Sequence, residues 1–205
     1  VIKNELKDYE RSIKDYDSAI ELNPNYSMAY YNRGLIKDNL GDQSGALDDY
    51  TKAIEIYPED PIAFYNRGII YKKKEQYYKA ISDYTDAIQL NPNYAEAYLN
   101  RGTVKNILKN YIGAIEDYSK SINLNPNIIA FNNRGISKNN NKDYNAAILD
   151  YNKAIKMDSS YADAYANRGI SKFYLKNQNG ACEDWRKAIE FGFDNAKQWI
   201  VDQCN

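Results

Sequence analysis

The chain has 205 residues, with 27 lysines and arginines against 28 aspartates and glutamates, for a formal net charge of -1. That balance argues against a dedicated nucleic-acid binder, which carries a clear basic excess. No run of about 18 apolar residues is present to cross a bilayer as a helix. Histidine is absent, which removes the commonest general base and metal ligand together. The two cysteines, Cys182 and Cys204, are too few and too widely spaced for a zinc site or a disulfide framework. They read as reduced, packed side chains.

One tripeptide organises the rest. Asn-Arg-Gly stands at Asn32-Arg33-Gly34, Asn66-Arg67-Gly68, Asn100-Arg101-Gly102, Asn133-Arg134-Gly135 and Asn167-Arg168-Gly169, with the glycines 34, 34, 33 and 34 residues apart. A period of this length marks a helical solenoid, whose units bury their apolar faces only by stacking on their neighbours. Most of the 21 tyrosines fall at repeat positions, so repetition accounts for them.

In chain order, residues 1–26 hold repeat material without the tripeptide. One period back, Tyr16 matches Tyr50, Ala19 matches Ala53 and Pro24 matches Pro58. The chain is therefore expected to open inside a repeat, with residues 1–26 as the second helix of a truncated unit. Leu6, Tyr9, Ile13 and Tyr16 share one helical stripe, and the spacing predicts a helix that passes Lys7 without a break. Five full units follow, at 27–60, 61–94, 95–127, 128–161 and 162–195. Within each comes a turn signal such as Leu40-Gly41-Asp42 or Asn141-Lys142-Asp143. The second half places Ala80, Ile81, Tyr84, Ala87 and Ile88 on one face of an amphipathic helix. Asn-Pro-Asn closes three units, at Pro24, Pro92 and Pro126, because proline cannot continue the helix behind it. The third unit is one residue short before Gly135, which predicts a tighter connection. Residues 196–205, with Trp199, Ile200 and Cys204, are expected to form a C-terminal capping helix over the last hairpin.

These residues resemble the tetratricopeptide repeat family. Its eighth position, glycine or alanine, matches Gly34, Gly68, Gly102, Gly135 and Gly169. Its alanine at the twentieth matches Ala46, Ala80, Ala114, Ala147 and Ala181, and its aromatic at the twenty-fourth matches Tyr50, Tyr84, Tyr118, Tyr151 and Trp185. The twenty-seventh, alanine at Ala53, Ala87, Ala154 and Ala188, is Ser121 in the third unit. The resemblance covers nearly the whole chain. It implies an all-α, right-handed superhelical solenoid of antiparallel helix hairpins. It also implies a non-enzymatic protein–protein interaction scaffold that binds an extended peptide or protein segment in its concave groove. The alternative is a structural or self-assembly module, docking through its open N-terminal face within a larger protein or as a homo-oligomer. No cofactor or metal is expected: the chain has neither a phosphate-cradling Gly-Lys-Ser/Thr loop nor a Gly-x-Ser-x-Gly elbow.

Two columns of polar residues compete for a functional reading. The arginines Arg33, Arg67, Arg101, Arg134 and Arg168 could bind anions. Each unit also has an aspartate before its aromatic, at Asp49, Asp83, Asp117, Asp150 and Asp184. This matching period predicts internal ion pairs, with Arg67 reaching Asp83 in its own unit or Asp49 in the preceding one. The asparagines Asn32, Asn66, Asn100, Asn133 and Asn167 sit where the resemblance implies the groove. Their amides offer a donor and an acceptor to a peptide backbone, with Tyr31, Leu35, Tyr65 and Ile69 as apolar anchors. The carboxylate clamp of some family members needs a lysine at the second position, where this chain has Met28, Ile62, Glu96, Ile129 and Asp163. Neither the partner nor the compartment is specified by the sequence.

Overall fold

A computed structural model describes the backbone of residues 2–204 and the side chains of residues 8–204; the Leu6 side chain of the predicted stripe lies outside the described residues. Twelve helices and no strand occur among the described residues. They are α1 (Ile2–Leu22), α2 (Ser27–Asn39), α3 (Gln43–Ile56), α4 (Pro61–Lys73), α5 (Tyr77–Leu90), α6 (Ala95–Ile107), α7 (Tyr111–Leu124), α8 (Ile128–Asn140), α9 (Tyr144–Met157), α10 (Ala162–Tyr174), α11 (Gln178–Glu190) and α12 (Ala196–Gln203). The first of these passes Lys7 unbroken.

The turn inside each hairpin is built the same way. The second residue after the first helix takes a left-handed conformation: Gly41 at φ 86°, then Glu75, Lys109, Lys142 and Lys176 at φ between 57° and 66°. The next amide folds back onto the helix, as Asp42 N does to the Lys37 carbonyl at 2.8 Å and Asp143 N to Lys138 at 2.9 Å. This double-bonded C-cap satisfies carbonyls that the helix end would leave bare. In four of the five hairpins the second helix then starts under a side-chain cap. Asp42, Asn110, Asp143 and Asn177 accept from the amides of Gly45, Gly113, Ala146 and Gly180 at 2.9–3.2 Å.

Close helix crossing explains the small residues. Ala46, Ala80, Ala114, Ala147 and Ala181 are completely buried, and each hairpin glycine lies against the aromatic ring of its partner helix. A Cβ added at Gly68 would stand 2.8 Å from the Tyr84 ring, and one at Gly169 would stand 2.4 Å from Trp185 Nε1. No residue larger than glycine fits there unless the ring moves.

The chain divides into two compact units, residues 1–97 and 98–205, with the boundary inside α6. In the first, α2 pairs with α3 and α4 with α5; in the second, α8 pairs with α9 and α10 with α11. The short connection predicted before α8 is three residues, 125–127, where α9 and α10 are joined by four, 158–161. Asn127 turns it into a cap by accepting from Ala130 N at 2.8 Å. At the C-terminus α12 packs on α11, closing a cluster of Ala181, Cys182, Trp185, Ala188 and Ala196.

Candidate functional site

The arginine column resolves as structure. Arg33, Arg67, Arg101, Arg134 and Arg168 each grip the aspartate of their own hairpin with two parallel hydrogen bonds, Nε to Oδ2 at 2.9 Å and Nη2 to Oδ1 at 2.5–2.8 Å. Each of these aspartates is 3% exposed. Burying a carboxylate is tolerable only with such full pairing. In four hairpins a lysine one turn on from the arginine (Lys37, Lys105, Lys138 or Lys172) adds a second cation at 2.8 Å. In the α4/α5 hairpin that place is Tyr71. There Asp83, lacking the lysine, has its carboxyl pushed above the ordinary 3.8 because burial outweighs the hydrogen bonds and charge of Arg67.

The guanidiniums do two further jobs. Each stacks over the aromatic four residues into its helix: Tyr30, Phe64, Tyr98, Phe131 or Tyr165, at 5.2–5.7 Å. Their remaining nitrogen reaches back to the preceding hairpin, from Arg33 to Asp17 at 2.5 Å, Arg67 to Thr51 at 3.2 Å, Arg134 to Ser119 at 3.0 Å and Arg168 to Asn152 at 2.6 Å. One side chain thus fastens three helices. The sequence left open an aspartate of the same unit or of the preceding one, and the structure gives the same unit; the second link was not predicted, because residues 17, 51, 119 and 152 vary in type.

The asparagine column is less uniform than its sequence. In the first unit Asn66 Nδ2 donates to Tyr31 Oη at 3.0 Å. In the second, Asn167 Nδ2 donates to Asn132 Oδ1 at 3.2 Å. Each therefore ties to the residue at the fifth position one repeat earlier and keeps its carbonyl oxygen and one N–H for other use. Asn133 is half-buried and makes no side-chain hydrogen bond among the described residues. It borders a cleft of about 80 Å³ with Thr103, Asn106, Tyr118 and Ile136. Asn32, also half-buried, is likewise unbonded, and Asn100 takes part in an interaction of its own.

The apolar anchors are partly buried. Tyr31 and Leu35 pack on Ala46, Tyr50 and Ile70. The ring of Tyr65 lies 5.9 Å from Tyr84 and 4.8 Å from Tyr94, and Ile69 is half-buried in α4. Burial, then the charge of Asp60, raises the pKa of Tyr31, and its bond to Asn66 only partly offsets this. The second compact unit has a polar seam that sequence reasoning missed: Asn106 and Asn139 accept from the hydroxyls of Ser137 and Ser171, both at 2.8 Å. The paired Asn and Ser, 31 and 32 residues apart, were the available signal.

The cysteines correct an expectation. Cys182 of α11 and Cys204, just past α12, form a disulfide. Twenty-two residues separate them in sequence, but α12 folds back along α11 and brings the two together. Gln178 of α11 also donates to the carbonyl of Gln203.

Profiles of the tetratricopeptide repeat match residues 27–60, 61–94 and 95–128, and a related repeat profile matches 2–38 and 140–173. Together they cover most of the chain. Comparison with curated protein sequences returns no match. Among solved structures, YrrB, described as a TPR protein with an unusual peptide-binding site, is 26% identical with a TM-score of 0.79, over 87% of this chain and 93% of YrrB. MamA from Desulfovibrio magneticus RS-1 is 20% identical with a TM-score of 0.78, over 82% and 96%. A tetratricopeptide repeat protein from Parabacteroides merdae ATCC 43184 is 21% identical with a TM-score of 0.67, over 98% and 94%. The chain belongs to the tetratricopeptide repeat family and is a protein-interaction scaffold of helical hairpins.

Proposed function

We propose that this scaffold holds an extended peptide against the faces of its first helices, with the asparagine column gripping the peptide backbone. The observation that carries the reading is Asn133, a half-buried amide with no internal hydrogen bond, beside a small cleft. Solvent reaches that amide, so its donor and acceptor are available to a peptide backbone. Asn32 is in the same state, while Asn66 and Asn167 are held in position by their neighbours and keep an oxygen available. Tyr31, Leu35, Tyr65 and Ile69 give the first unit its apolar surface for an anchoring side chain. That YrrB is described as having a peptide-binding site adds support at this level of identity.

Each amide contact contributes about 0.5–1.5 kcal/mol, so several rungs are needed for useful affinity. The test selects binding peptides from a displayed random library with the whole chain and measures their affinity by fluorescence anisotropy. Changing Asn66, Asn100 and Asn133 together to alanine is expected to weaken binding by about tenfold or more, with helical content unchanged by circular dichroism. Unchanged affinity would rule out the asparagine column as the grip.

A further inference from the structure

A cavity of about 270 Å³ opens between α10, α11 and α12. Four aromatic side chains line it: Phe173 and Tyr174 from α10, Trp185 from α11 and Trp199 from α12. The rings brace one another. Trp185 lies 5.6 Å from Trp199 and 6.0 Å from Phe173, and Tyr174 stacks on Tyr144 at 5.0 Å. The one ionisable carboxyl in the lining belongs to Asp202, in the last turn of α12. Gln198 donates to its Oδ1 at 2.8 Å, and no ion pair engages it among the described residues. Lys176 lines the adjoining cleft with Gln178 and Gln203, not this cavity. Trp185 stands at the repeat's aromatic position, but the places of Phe173 and Tyr174 are Asn139 and Asn140 in α8, so those two rings are not inherited from the repeat.

We propose that this cavity is a binding site for a weakly hydrated organic cation, a quaternary ammonium or a guanidinium group. Size sets the first limit, since a cavity below the roughly 300–1,000 Å³ of drug-sized sites suits a headgroup or one side chain. Chemistry sets the second. Ring faces attract cations through their quadrupoles, most strongly where water is excluded. A neutral apolar guest would cover the Asp202 carboxylate without compensating it. A primary ammonium is strongly hydrated and needs several acceptors, whereas a guanidinium stacks on rings and is less hydrated. The wall is held in place for this purpose: two residues past Asp202, Cys204 is bonded to Cys182 of α11, and Gln178 holds the Gln203 carbonyl.

The protein carries its own reporter, because Trp185 and Trp199 are its only two tryptophans and both line the cavity. The experiment titrates the whole chain with choline, with methylguanidinium, and with the uncharged isostere of choline in which tert-butyl replaces trimethylammonium. Tryptophan emission and isothermal calorimetry are read together. At least one cation is expected to bind saturably, and whichever binds tighter identifies the class of source. The isostere is expected to bind about tenfold more weakly, as loss of the cation–π and charge contacts requires. Asp202→Asn is expected to weaken cation binding by about tenfold with an unchanged melting temperature, because only the charge-assisted contact is lost. No saturable signal with either cation, equal binding of the isostere, or full affinity in Asp202→Asn would each overturn the assignment. The titration uses no peptide, so its outcome is separate from that of the peptide-binding reading.

Discussion

The hairpin α4/α5 and the hairpin α8/α9 have the same backbone plan but hold their buried aspartate differently. Asp150 is met by Arg134 at 2.6 Å and Lys138 at 2.8 Å, and Asp143 caps the second helix. Asp83 is met by Arg67 at 2.8 Å. Instead of a lysine the hairpin has Tyr71, whose ring centre lies 5.8 Å from the guanidinium carbon, with that of Phe64 at 5.7 Å. Gln76, just before the hairpin's second helix, makes no capping bond and buries an unbonded Oε1. The Tyr84 hydroxyl is buried without a partner as well. The lesson is that the repeat tolerates exchange of a second cation for ring stacking. The helical frame is fixed by the glycine, the alanine and the bidentate arginine, which both hairpins keep.

Substitutions can widen or close this gap. The largest effect is expected from Asp150→Asn, which strands Arg134 and Lys138 in a partly buried site and costs about 3–5 kcal/mol. Asp83→Asn strands one cation that two rings still cover, at about 1–3 kcal/mol. Urea unfolding followed by circular dichroism measures both. Equal losses would mean that Lys138 adds nothing.

Glycine substitutions come next. A Cβ at Gly135 would stand 2.6 Å from the Tyr151 ring and one at Gly68 2.8 Å from Tyr84. Each alanine variant is expected to lose about 1–3 kcal/mol, with Gly135→Ala the worse. The reverse order in thermal melts would show that ring mobility, not the gap, sets the cost.

Gln76→Asp transplants the cap of the better hairpin. It is expected to add about 1 kcal/mol, and Asp143→Ala to remove a similar amount. A Gln76→Asp variant with an unchanged urea midpoint would break the parallel between the two turns.

The smallest effect is electrostatic. Because the folded Asp83 carboxyl binds its proton more tightly than the unfolded one, its contribution to stability is fully present below the unfolded pKa of 3.8. That contribution is lost as pH rises through the raised value. Tyr71→Lys supplies the missing cation and is expected to bring the Asp83 pKa down. Carboxyl carbon NMR titration of wild type and variant reads this directly, and an unmoved Asp83 pKa would contradict it.

Sequence alone determined what the repeat enforces. An arginine and an aspartate 16 residues apart in every unit meet because two helices and one tight turn always bring that spacing together. The glycine against the ring and the proline stops follow from the same period. Tertiary structure decided whatever does not repeat. In Arg33, Arg67, Arg134 and Arg168 the Nη1 finds a different neighbour each time, Asp17, Thr51, Ser119 or Asn152, because any small polar group can accept there. The asparagine column looks uniform in sequence, but Asn66 is tied to a tyrosine, Asn167 to an asparagine and Asn133 to nothing among the described residues. That difference depends on which residue the preceding repeat presents at its fifth position. The disulfide and the ring-lined cavity join the last repeat to the tail, where no period sets the register. Only the packing of α12 on α11 brings Cys204, Asp202 and Trp199 beside their partners, since contacts across a non-repeating joint leave no spacing in the sequence to read.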